Sequence, residues 1–229
     1  MYYLIDNNKK VIFGWSAKCG CSHIKRIFMF LCDIAINSID IHKTVNVFSI
    51  LPNDIENYTT IIIGRNPYKR IVSGFLDKYK IGGEFRHLWK YSYITFSMFL
   101  NELEKKNWKM IEKHHFTPQT SEGFNRKILN SKCIKCYDIE NIDYKYIENL
   151  YDKIIPESIL CQKEGHERIY NDIVIDKCVY DLHMKTYLNC KVNIKHFYNE
   201  QLKKRAFNFY KNDFMFFYEM GLDYITPIF

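Results

Sequence analysis

Two short stretches hold most of the side chains whose spacing can organise chemistry. The first runs Phe13-Gly14-Trp15-Ser16-Ala17-Lys18-Cys19-Gly20-Cys21-Ser22-His23. The second runs Arg65-Asn66-Pro67-Tyr68-Lys69-Arg70-Ile71-Val72-Ser73. In each, a cation and a hydroxyl flank the start of a predicted helix. Helix N-termini present N–H groups and the positive end of the helix dipole, so phosphate-like anions settle there. Lys18 brings charge to the first turn, Gly20 lets the backbone approach an anion closely, and Ser22 offers a cap or a hydroxyl. In the second stretch Asn66 reads as an N-cap and Pro67 as the first helical residue. Arg65 closes the preceding strand with a planar fork suited to phosphate, and Ser73 returns to a similar helix face about two turns after Asn66. Two such sites suit a ligand with two separated phosphate-like groups. The first is not a Walker A loop, because its lysine precedes the glycine.

The elements that must position these residues alternate. Apolar runs and periodicity predict a strand at 10–15, a helix at 22–36, strands near 45–50 and at 59–64, and a helix at 67–79. Gly82-Gly83 suggests a break, followed by a helix near Thr95–Lys106. Strand character returns at 133–139, then helices at 143–153 and about 198–220. Alternating β and α elements argue for an α/β fold, a parallel sheet with helices on both faces. Right-handed crossovers then place both anion sites at the carboxyl edge of the sheet.

At 229 residues and 47% hydrophobic, the chain can bury a full core, and a single domain over 1–229 is expected. No apolar run reaches the roughly 18 residues a membrane span needs. The polar, short N-terminus does not read as a signal peptide, so a cytoplasmic location is expected, with the eight cysteines as free thiols. Cys133-x-x-Cys136 has metal-like spacing, but Cys161 and Cys178 form no pattern with it, and no metal is expected. The net charge of +7 implies anionic partners. Nucleic acid is not expected among them, since basic residues are spread along the chain and no nucleic-acid-binding signature occurs.

Taken together, the motifs resemble those of sulfotransferases that use 3′-phosphoadenosine 5′-phosphosulfate (PAPS), and most closely the Golgi carbohydrate sulfotransferase group with its soluble relatives. Lys18 to Ser22 matches the group's first loop, and Arg65 to Ser73 matches its second motif. His115-Phe116-Thr117-Pro118-Gln119 and Tyr137-Asp138-Ile139-Glu140 match later elements in order. The resemblance implies a P-loop-like three-layer fold with a central parallel sheet flanked by helices. It implies PAPS as donor, no metal, and in-line transfer to an acceptor hydroxyl, most naturally on a glycan.

By the same resemblance, Lys18 is catalytic and binds cofactor. Cys19, Gly20, Cys21, Ser22 and His23 hold the 5′ end, and Arg65 and Ser73 hold the 3′-phosphate. A hydroxyl acceptor needs a base near neutral pH. His115 is favoured for that role, with His42 and His87 as rivals. Two other readings stay open. A nucleotide kinase with a degenerate P-loop would depend on Mg²⁺. A non-catalytic module binding nucleotide or RNA would tolerate loss of Lys18.

Overall fold

The computed structural model describes residues 1–35, 50–79, 87, 93–121, 124–161 and 172–226. The predicted strand near 45–50, Gly82-Gly83 and His42 lie, but for residue 50, outside the described residues. In chain order the regular elements are β1 (Tyr2–Asp6), β2 (Val11–Trp15), α1 (Cys21–Leu31), β3 (Thr59–Gly64), α2 (Pro67–Lys78), α3 (Phe96–Glu104), α4 (Lys113–Phe116), β4 (Cys133–Asp138), α5 (Tyr144–Tyr151), α6 (Glu157–Leu160), β5 (Val174–Ile175), β6 (Lys191–Val192), α7 (Glu200–Phe209) and α8 (Lys211–Glu219). Among the described residues, no helix is long and apolar enough to cross a membrane.

The chain forms two compact units. The first comprises Met1–Arg65, Gln119–Glu164 and Phe216–Asp223. Its sheet has the order β1-β2-β3-β4, with β2, β3 and β4 parallel. The exception is β1, which pairs antiparallel with β2. A polar turn joins this hairpin: the Asp6 carboxylate accepts the N–H groups of Asn8 and Lys9 at 2.9 and 3.1 Å, a side-chain mimic of a backbone turn. Side chains alternate across a strand. Phe13, Trp15, Ile61 and Ile63 therefore share one face, where they pack with Ile24, Ile27, Phe28 and Leu31 of α1 and Ile147 and Tyr151 of α5. On the opposite face Phe217 of α8 lies so close to Gly64 that a Cβ there would stand 2.3 Å from its ring. The fold is mixed α/β, with a mainly parallel sheet flanked by helices, as the sequence predicts, and an added antiparallel edge.

Helix α1 ends five residues before its predicted limit. Asp33 takes a left-handed backbone (φ 54°). The N–H groups of Asp33 and Ile34 donate back to Phe30 and Met29 carbonyls, the double closure of a Schellman motif. Cys133 and Cys136 lie three apart on β4, so their side chains take opposite faces of the sheet and do not converge.

The second unit comprises Asn66–Pro118, Gly165–Met215 and Tyr224–Phe229. Aromatic rings fill it. Phe75 of α2 meets Phe96 and Phe99 of α3 at 5.4 and 5.1 Å between ring centres, and Phe99 meets Phe116 at 4.8 Å. Such offset and edge-on pairs contribute beyond the area they bury. Arg205 on α7 grips Glu104 on α3 through Nε and Nη2. The predicted helix at 198–220 is interrupted at Tyr210. That residue is fully buried and its hydroxyl donates to the Phe116 carbonyl at 2.5 Å, a tertiary anchor with no trace in the helical periodicity.

Candidate functional site

The loop after β2 is built by backbone geometry. The Cys19 N–H donates to the Ser16 carbonyl at 3.1 Å and closes a turn. Lys18 (φ 67°) and Gly20 (φ 73°) both adopt left-handed backbone. Gly20 needs its missing side chain twice over: a Cβ would strain that conformation and would stand 2.3 Å from Ile139 Cδ1. Gly20 is also the N-cap of α1, with no side-chain cap and no acidic residue in the first turn. The helix end therefore keeps its positive character, and its first N–H groups are those of Cys21, Ser22 and His23. Ser22 is buried inside the first turn rather than at the cap position the sequence suggested. The His23 ring engages the Tyr144 hydroxyl at 2.8 Å.

The second joint differs. Asn66 does cap α2: its side-chain oxygen accepts the N–H groups of Tyr68 and Lys69 at 2.9 and 3.4 Å. Pro67 has no N–H to offer. The start of α2 has thus spent its donors on Asn66.

Within the first unit, Arg65 and the Lys18 loop are joined directly. Arg65 Nη1 donates to the Lys18 carbonyl at 3.1 Å. Arg65 Nε is buried and has no hydrogen-bond partner among the described residues. Gln119 locks the same joint. Its Oε1 accepts the Arg65 N–H at 3.2 Å and the Cys19 thiol at 3.0 Å. Its Nε2 donates to the Arg65 carbonyl at 2.9 Å, and its own carbonyl accepts the Ser16 hydroxyl at 3.4 Å. Gln119 and Cys19 are both buried. Gln119 stood in the His115–Gln119 element, yet nothing in its spacing announced that it would pair with both backbone groups of Arg65.

Ser73 and His115 belong to the second unit. Ser73 is half-buried on α2, on the helical stripe of Lys69 and Asp77. His115 lies in α4, whose N-cap is Glu112. Glu112 accepts the N–H groups of His114 and His115 at 2.8 and 2.7 Å, and its Oε2 also meets His115 Nδ1 at 2.5 Å. Burial works to raise the Glu112 acid, but the hydrogen bonds from His115 and His114 outweigh it and hold the acid below its ordinary value. Burial, then the neighbouring His115, lowers His114. Glu112 is the second residue the sequence reading passed over; an acid three positions before a histidine at a helix start was its available signal. His87, a rival base, is exposed.

Comparison with known proteins adds to this geometry. The family model described as Sulfotransferase family matches residues 1–219. Carbohydrate sulfotransferase 8 of Mus musculus and that of Homo sapiens are each 30% identical to the chain over 95 residues. Each alignment covers 36% of this chain, and 23% and 22% of those proteins respectively, so the matched part spans about a quarter of the curated relatives' length. No solved structure matches the chain. The family match runs from β1 to the end of α8. The chain belongs to the sulfotransferase family.

Proposed function

We propose that this chain moves a sulfuryl group from PAPS to a hydroxyl on a carbohydrate, and that its two units act as one sulfotransferase domain. The observation that carries the reading is the joint of Lys18, Arg65 and Gln119. It fastens the loop after β2 to the end of β3, at the carboxyl edge of a parallel sheet, the edge at which α/β proteins bind their ligands. Two features fit a bis-phosphorylated nucleotide: the start of α1, which has a glycine N-cap and no acid in its first turn, and the buried Nε of Arg65, which has no hydrogen-bond partner among the described residues. The carbohydrate sulfotransferases among its relatives support the carbohydrate acceptor.

The donor supplies an already activated sulfuryl group, so the chain's task is positioning and charge stabilisation. Lys18 neutralises the negative charge that develops on the leaving group. The N–H groups of Gly20 to His23, with Cys19 and Cys21 shaping the turn and the Ser22 hydroxyl beside them, hold the 5′ end. Arg65 and, by the family resemblance, Ser73 hold the 3′-phosphate. His115 takes the proton of the acceptor hydroxyl.

The test has two stages. Adenosine 3′,5′-bisphosphate, the desulfonated donor, is expected to raise the melting temperature, as any ligand selective for the folded state must. Radiolabelled PAPS is then offered with a panel of glycans. Label transfer by the wild type and none by Lys18→Gly is the expected result. That variant removes the charge and suits the left-handed backbone, so lost activity does not reflect misfolding. No thermal shift together with no transfer overturns the proposal.

A further inference from the structure

We infer that Glu112 is the positioning residue of His115: its carboxylate fixes the imidazole in the Nδ1–H tautomer and leaves Nε2 as the atom that takes the acceptor's proton. This rests on the reading of His115 as the base. The geometry is specific. Capping α4 needs only the two backbone N–H groups that Glu112 already accepts from His114 and His115. The contact of Oε2 with the ring Nδ1, at 2.5 Å, is additional to that cap. An ionised carboxylate only accepts hydrogen bonds, so Nδ1 must carry the proton, and the neutral ring then holds its lone pair on Nε2.

The Glu112 backbone is itself held. The Glu112 N–H donates to the Tyr79 hydroxyl at 3.0 Å. Tyr79 is fully buried, with Phe99 and Phe116 at 5.6 and 6.1 Å between ring centres. The carboxylate and imidazole side chains are 12% and 19% exposed. The pair is sheltered, yet the ring keeps a surface open. The other titratable groups of this neighbourhood are His114, edge-on to His115 at 4.8 Å, Tyr79, and Arg70 and Lys78 of α2, whose charges act on His114. Of these, the cations cannot accept from Nδ1, and the Tyr79 hydroxyl is engaged with Glu112. The proton leaving the acceptor hydroxyl comes to rest on Nε2, and the imidazolium so formed keeps its Nδ1–H on the carboxylate.

Three measurements test this. In the wild type, ¹⁵N spectra of the imidazoles, with His115 assigned by its loss in His115→Asn, are expected to show the Nδ1–H tautomer. Glu112→Gln is expected to lower kcat by about 10²–10⁴-fold, the range of a positioned general base, while leaving the affinity for adenosine 3′,5′-bisphosphate unchanged. The double variant is expected to be no slower than His115→Asn, because both substitutions remove one unit. An Nε2–H tautomer in the wild type overturns the inference, and that spectrum decides even if Glu112→Gln fails to fold. Normal kcat in Glu112→Gln beside a slow His115→Asn overturns the inference and leaves the base assignment standing. Normal kcat in His115→Asn instead overturns the base assignment on which it rests.

Discussion

Arg65 donates from Nη1 to the carbonyl oxygen of Lys18 at 3.1 Å. The two residues lie 47 positions apart, and each belongs to a separate sequence motif. The left-handed backbone at Lys18 is thus met by a donor from a neighbouring strand end. The guanidinium secures the loop.

Removing that guanidinium has two consequences. Arg65→Ala is expected to weaken adenosine 3′,5′-bisphosphate by about 1.5–3 kcal/mol, the scale of a hydrogen bond to a charged group. Adenosine 5′-phosphate should lose much less. Calorimetric titration of both nucleotides against both proteins measures the difference. Equal losses would remove Arg65 from the 3′ site and leave it as the brace of the Lys18 loop.

Gln119→Ala is expected to act on stability before it acts on binding. It strips the half-buried Arg65 N–H and C=O of the partners that Gln119 supplies. A buried polar group left without its bond costs about 1–3 kcal/mol, which for a chain of this size lowers the melting temperature by roughly 2–4 °C per kcal/mol. A thermal scan without ligand reads this directly. An unchanged melting temperature would mean that water replaces the carboxamide at no cost.

Gly20→Ala is expected to fail for two separable reasons. The left-handed conformation costs an L-residue about 1–2 kcal/mol, and the new methyl collides with Ile139. Adding Ile139→Ala removes the collision and leaves the conformational strain. The double variant should therefore recover part of the lost stability relative to Gly20→Ala, by chemical denaturation. No recovery would show that the backbone conformation alone dictates glycine there.

The Glu112 acid is held below its ordinary value in the folded chain. The sign follows: a carboxyl with a depressed folded pKa contributes stability that is present above its unfolded pKa, about 4.3, and is lost as pH falls through the lower folded value. Wild-type melting temperature should fall as pH drops from about 5 toward 3. Glu112→Gln, with no proton to gain, should fall less steeply over that window. Parallel curves would assign the acid sensitivity to other carboxylates.

Local chemistry was legible in the sequence, and tertiary partnership was not. The Asn66 cap, Pro67 at the first helical position and the run Ile61 to Ile63 as a buried strand depend on neighbours in the chain, and each stands where the pattern put it. The hairpin strand β1 was hidden because Asn7 to Lys10 read as a polar N-terminal stretch rather than as a turn. The end of α1 was hidden because Asp33, not glycine, takes the left-handed position. At the candidate site, Lys18, Gly20 and Arg65 declared themselves by type and spacing. Gln119 did not, since its partner lies 54 positions away, and no periodicity encodes such a bond.

Arg65 and Gln119 are also the residues at which the chain leaves the first unit and comes back to it. Their paired hydrogen bonds mean that the long excursion from Asn66 to Pro118 departs and returns at one point. It is a loop tied off at its neck. Residues added to or removed from its interior leave the neck the same width, because loop length adds only slowly to the cost of closure. The segment that carries His115 is therefore free to vary in length while the Arg65–Gln119 pair at its neck stays tied.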